Sequence, residues 1–520
     1  MTPDERFRRA DEYAANLGFS AAFPNFYEAD YGKGPVGGVH FLRSNVVEWR
    51  DVPAAELGNP PLWDIPALFR AANDYASRNG FFTGFPNCQT ASRANGRVFG
   101  IQLIKSGAAE WRDVPKSSLG NPDINNVPAM MKAAASYASA NGFDAAFPNF
   151  HQARSGRSVV YGHILFPRPS VEGRDVSIGD LQPRDEKTCV ILCRFRDNAG
   201  GLTPVLKGQD FYERYFFGRR NDSLADFFRT ASNYRTNVWG KVYDWIDIGH
   251  TVSELQSFGS NQTQRRAAHN WGIEAARANG IPVDSYTHRA VIVSSHCDFG
   301  GIGRAGEIGG SGDMVMPHAA DDDLPYKVNF HSYMQHEFGH LVGNDHSYDQ
   351  TGPYLDPYCI MSFATRQHTA IKSIAGLSAQ SGCGLNAAYA SNMGGMPPHR
   401  RIDYVPSTTS ATGLFIIPQG YPEIDAAQAI RIPPDKRRTS TYWISYRHPS
   451  RWDAGIGAPS VVVHEVRARE SISRLVPGPR DSALQQYNDE VITPDGLLRI
   501  RLAGFVPGGT PMAWVYVYPM

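Results

Sequence analysis

The sequence predicts a multidomain α+β protein, on three observations. A 62-residue period runs through about the first 180 residues, helix-like and strand-like segments alternate from 183 to 400, and an all-β pattern occupies 401–520. At 520 residues the chain is too long for one compact core. Apolar residues make up 42% and charged residues 20%, with Lys+Arg and Asp+Glu both at 51. That balance leaves no electrostatic footprint for nucleic acid or an anionic membrane. No uncharged apolar run approaches the roughly 20 residues of a membrane span. The first residues, Met1-Thr-Pro-Asp-Glu-Arg6, are charged and lack the apolar centre of a secretory signal.

The period is read from Tyr13, Tyr75 and Tyr137, from Phe23-Pro-Asn25, Phe85-Pro-Asn87 and Phe147-Pro-Asn149, and from Gly38, Gly100 and Gly162. Glu48-Trp-Arg-Asp-Val-Pro53 returns as Glu110-Trp-Arg-Asp-Val-Pro115 and decays to Glu172-Gly-Arg-Asp-Val176. Three repeats follow, at 1–62, 63–124 and 125–182, each a helix and then short strands. In the second, Asp64 can cap a helix carrying Ile65, Leu68, Phe69, Ala72, Tyr75 and Ala76 at helical spacing, ended by Gly80. Phe-Pro-Asn predicts a turn. The repeats suit an accessory array for a carbohydrate or another surface ligand if Trp49 and Trp111 are exposed, or a set of cores if these aromatics are buried.

In 183–400, Val190-Ile-Leu192 and Val291-Ile-Val293 predict buried strands. Asn237–Ile246 predicts a strand with a glycine break. Ser223–Ala231 and Gln262–Asn279 predict helices, so an α/β layer follows. Beyond 401, Gly413–Ile417, Thr441–Tyr446, Ser460–His464, Leu497–Arg501 and Met512–Tyr518 predict a small β-sandwich.

Chemistry concentrates in His336-Glu-Phe-Gly-His340-Leu-Val-Gly-Asn-Asp-His346. His336 and His340, four apart on a helix, project from one face as two nitrogen ligands. Gly343 lets the chain turn out of the helix, so that His346 can return as a third ligand. Three His ligands leave a fourth position to water, as in a catalytic zinc site. Glu337 stays beside the metal and can take a proton from its bound water.

Tyr358-Cys-Ile-Met-Ser362 follows. H-E-x-x-H-x-x-G-x-x-H with a later Met-containing turn is the metzincin signature, and the chain resembles the metzincin zinc peptidases. Within them it is most similar to the gametolysin and immune-inhibitor-A-like peptidases. Ser223-Leu-Ala-Asp-Phe-Phe228, Asn233-Tyr234 and Val238-Trp-Gly-Lys-Val242 resemble their region upstream of the zinc helix. Thr441–Arg447, Asp453 and Val461-Val-Val-His464 resemble their C-terminal β-domain. The immune-inhibitor-A type usually carries Asp where His346 stands, so the gametolysin side fits better. The likeness covers roughly 185–520 and leaves out the repeats. It implies a metzincin-like α/β catalytic domain, Zn2+ as cofactor, Met361 beneath the metal as an apolar base, protein or peptide substrates, and an extracellular location.

Other signals are weaker. Met314-Val315-Met316 is a candidate edge strand for an extended substrate, by analogy with metzincins. Gly301-Ile-Gly-Arg-Ala-Gly306 matches a dinucleotide fingerprint, but more glycine follows where a helix should open. Asp321-Asp322-Asp323 could bind Ca2+, although such a run is usually a solvated loop. His318 and His331 lie close to the zinc helix, with ordinary surface histidines the favoured account. Cys88, where Phe26 and Phe150 stand in the sister repeats, could hold the metal latent, but its flanks do not resemble a matrixin switch. Cys359 and Cys383 could pair in an oxidising compartment or remain buried thiols. The expectation is a zinc endopeptidase acting through a zinc-bound water activated by Glu337. The alternative is a surface- or carbohydrate-binding protein with the metzincin domain as scaffold.

Overall fold

The computed structural model describes the chain except residues 1, 17–18, 31–34, 62–63, 94–95, 156–157, 168–170, 178–183, 198–206, 219–222, 295–305, 308–311, 319–329, 363–367, 376, 407–410, 423, 425, 507 and 509. Most of the glycine-rich stretch at 301–312, and all of Asp321–Asp323, lie outside the described residues. The protein is mixed α+β and divides into two compact units, residues 1–183 and 184–520. Among the described residues no helix is long and apolar enough to cross a membrane.

In the first unit, a helix and three strands at 65–115 return at 127–177, 62 residues on. Helix Ile65–Arg78 starts where Ala67 N–H donates to Asp64 Oδ1 (3.0 Å), and Val127–Ala140 where Ala129 N–H donates to Asn126 Oδ1 (3.1 Å). Each sheet has three antiparallel strands and borrows one from the preceding copy. Val47–Pro53 pairs with Gly96–Ile104, and Glu110–Pro115 with Ser158–Phe166. Glu172–Ser177 closes the circuit on Pro35–Leu42. The copies therefore share strands and a central core. Phe23, Phe85 and Phe147, all 0% exposed, meet there with ring centroids 5.0–5.7 Å apart.

Phe-Pro-Asn is not a turn. It lies inside the strands Ala21–Asp30, Thr83–Arg93 and Ala145–Ser155, just before a register shift. Phe26, Cys88 and Phe150 there take φ of 61°, 60° and 58°. Asn25 and Asn149 accept the N–H two residues on, from Tyr27 (2.9 Å) and His151 (3.0 Å). This side-chain turn makes a bulge in a strand that pairing holds extended.

The second unit begins with a five-stranded sheet ordered Thr236–Asp247, Arg184–Arg194, His288–Val293, Asp313–Pro317, Gly306–Glu307. It is parallel except for the last strand. Alternate residues serve its two faces. Cys189, Ile191, Cys193, Val291 and Val293 pack with helix Asn261–Ala278. Val190, Leu192, Ala290 and Ile292 pack with helices Leu224–Ala231 and Phe330–Leu341. The edge-strand expectation for Met314–Met316 is corrected. Their strand is internal, with side chains 0–2% exposed, and the edge falls to Gly306–Glu307.

Among the described residues this unit also has a two-stranded sheet, Ala370–Ile374 with Leu377–Ser381, and a six-stranded and a four-stranded sheet that share an apolar core including Ile430, Ile444, Val463, Ile500 and Val515. The six-stranded sheet ends in Tyr348–Asp349, which pairs parallel with Ser473–Val476. That pairing anchors the chain immediately after His346.

Candidate metal centre

Helix Phe330–Leu341 buries Met334, Phe338 and Leu341 against the sheet and turns His336 and His340 the other way. Its end is built from the sequence: Gly343 takes φ +94°, its N–H donates to the His340 carbonyl (3.0 Å), and Asn344 N–H donates to that of Gly339 (3.0 Å). The chain then returns His346. One ring nitrogen from each of His336, His340 and His346 lies within 4.8 Å of the other two, so the three could hold a metal ion.

The outer nitrogens are tied down. His336 Nδ1 donates to the Ile360 carbonyl (2.9 Å), and His340 Nδ1 donates to that of Asn344 (2.8 Å). Both Nε2 lone pairs are thereby left to the inside. His340 and His346 Nε2 stand 3.0 Å apart. Burial lowers His336 to about 3, helped by the neighbouring His340 and His346; burial and His340 lower His346 to about 4. Neutral imidazoles are the form a cation needs. Glu337, beside His336 on the helix, is 8% exposed.

Met361 is fully buried against Gly339 of this helix. A Cβ built on Gly339 would stand 2.3 Å from its Sδ, so the absent side chain makes the seat for the thioether. Gly339→Ala should therefore destabilise the protein by about 1–3 kcal/mol through overpacking, although alanine is the better helix former. Urea unfolding of parent and variant checks this; an unchanged or raised midpoint would contradict it.

Several supports carry no motif. Tyr354, at φ +62°, places its hydroxyl 3.0 Å from His346 Nε2. The Tyr389 hydroxyl donates to the His346 carbonyl (2.7 Å). Asp356 is wholly buried, accepting from Ser347 Oγ (2.5 Å) and Tyr358 N–H (2.9 Å), with His464 Nε2 at 3.0 Å. Burial would raise its pKa, but His464 and these hydrogen bonds outweigh it and hold the carboxyl below its usual value. Arg447 Nη1 donates to the Tyr358 carbonyl (2.7 Å) while its Nε donates to Asp453 Oδ2 (2.7 Å).

No protein-family model and no curated protein matches the chain. The site must stand on its own geometry, which sorts the remaining candidates. His331 is not a surface residue: it is 0% exposed, with Nδ1 2.8 Å from the Tyr215 hydroxyl. His318 is likewise buried, at 2%. Cys88 belongs to the core of the first unit, where burial pushes its thiol pKa far up. Cys359 and Cys383 are buried free thiols.

Proposed function

We propose that the chain is a zinc-dependent endopeptidase of the metzincin type, with His336, His340 and His346 as metal ligands. The observation that carries this is the convergence of three imidazoles, two of them held through Nδ1 by backbone carbonyls, beside a carboxylate on the next helical position. The donor set fits zinc, which takes neutral imidazole and keeps a position open when the protein supplies three ligands. Zinc would supply Lewis acidity, polarising a peptide carbonyl and offsetting the charge that develops on its oxygen.

The protein's own groups do the rest. Glu337 takes the proton from the attacking water and can pass it to the leaving amine. The Ile360 and Asn344 carbonyls fix the orientation of His336 and His340, while Met361 supports the helix from beneath at Gly339. Met361 in this place supports the metzincin assignment, and the resemblance carries with it an exported enzyme. Purified protein is expected to hold one zinc per chain and to hydrolyse casein in a chelator-sensitive way. Zinc-loaded protein without chelator-sensitive cleavage of any protein offered would defeat the proposal.

A further inference from the structure

Two of the three copies in the first unit carry a tryptophan at a position where the third has glycine. Trp49 lies opposite Gln102, and Trp111 opposite Ile164, each on the strand lent to the next sheet. Each indole rests over a glycine. A Cβ on Gly100 would stand 2.5 Å from Trp49 Cη2, and one on Gly162 would stand 2.5 Å from Trp111 Cζ2. Beside each ring sits a fully buried asparagine, Asn87 or Asn149, with Oδ1 2.5 Å or 2.6 Å from the same points. The outer faces remain accessible: Trp49 is 38% exposed and Trp111 41%.

In the remaining sheet the lent strand carries Gly173 at this position, opposite His40. Gly38 replaces the floor glycine, and Asn25 the asparagine. Asn25 is partly exposed where its two counterparts are wholly buried, as expected for a site without its lid. Gly173 is exposed, and among the described residues a Cβ there would meet only His40 within 4 Å, at Nδ1 (3.4 Å) and Cε1 (3.7 Å). His40 is 8% exposed, yet among the described residues neither ring nitrogen has a hydrogen-bond partner. A buried polar ring left unsatisfied is costly, and a ligand group that reached it would relieve that cost.

We infer that the position over Gly38, bounded by Asn25, His40 and Gly173, is a slot for an indole ring brought by a ligand, either a tryptophan side chain of a peptide or a free indole compound. The sister positions show what this backbone accommodates, because there the chain supplies the indole itself. The ring N–H of Trp111 donates to Asp113 Oδ1 (3.1 Å). In the slot, His40 offers an acceptor for the same group. Burial lowers its imidazole to about 4, so at neutral pH it carries one N–H and one lone pair. The inference does not rest on the peptidase proposal.

Calorimetric titration of the full chain with N-acetyl-L-tryptophanamide, indole and the peptide Gly-Trp-Gly tests it. Saturable one-site binding is expected. Tighter binding of the peptide would identify a protein ligand and equal binding a small one; both support the slot. Gly173→Trp, which supplies the ring in cis, should abolish binding, and His40→Ala should weaken it about three- to tenfold. If Gly173→Trp melts early, His40→Ala carries the comparison. No binding of any indole, undiminished binding in a folded Gly173→Trp variant, unchanged affinity in His40→Ala, or binding of cellobiose in place of the indoles would overturn the inference.

Discussion

Glu337→Gln is expected to lower kcat/KM for casein hydrolysis by about 10²–10⁴-fold while leaving the metal content at the parent level. The two effects separate because the ligand set and the base are different residues. The ligand nitrogens come from His336, His340 and His346, and the Nδ1 atoms of His336 and His340 are held by the Ile360 and Asn344 carbonyls. Glutamine keeps the shape and a hydrogen-bonding oxygen but cannot take a proton at neutral pH. The variant should therefore bind substrate and metal as the parent does and fail in the chemical step, with the loss in kcat and little change in KM. Full activity in Glu337→Gln would remove Glu337 from the mechanism. Loss of metal together with activity would show it to be a ligand or a structural support.

The local parts of this arrangement were legible in the sequence. Spacing of four put His336 and His340 on one helix face, and Gly343 marked where the chain leaves the helix. The structure takes φ +94° there and brings His346 back. The helix cap at Asp64 was readable for the same reason, since it involves residues three apart. What stayed hidden depends on partners far along the chain. Asp356 meets His464 and Tyr358 meets Arg447 across 108 and 89 positions, and no periodicity encodes such pairings.

Local propensity also misled where pairing overrode it. Pro-Asn favours turns, yet Pro24-Asn25 sits within a strand whose neighbour supplies hydrogen bonds on both sides of the bulge. The analogy with metzincins makes Met314–Met316 an edge strand, and its actual neighbour, Gly306–Glu307, is hidden because it is only two residues long and lies in a glycine-rich stretch without strand pattern. The 62-residue period gave the repeating unit but not its closure. Which strand a copy lends, and to which neighbour, is a matter of topology that identical copies leave open.

Asp453→Ala is expected to cost about 3–5 kcal/mol in the unfolding of the second unit, because it strands the Arg447 charge in the interior. Arg447 is 1% exposed in its side chain and Asp453 7%, and two guanidinium nitrogens engage the carboxylate. Burial works against the charged guanidinium, but Asp453 outweighs it and raises the Arg447 pKa further, so the arginine cannot escape by losing a proton. The pair also has a task at the site. Arg447 Nη1 holds the Tyr358 carbonyl, and two residues on the Ile360 carbonyl holds His336 Nδ1. Stability and metal retention should consequently respond differently to a second substitution. The double variant Arg447→Met with Asp453→Leu removes both charges at similar volume and should recover most of the lost stability. It restores no donor to the Tyr358 carbonyl, so its metal affinity should stay below that of the parent, within the roughly 10–100-fold loss typical of groups that orient metal ligands. Urea unfolding and competition with a chromogenic chelator measure the two quantities separately. Parent-like metal affinity in the stabilised double variant would reduce the Arg447–Asp453 pair to a purely structural element.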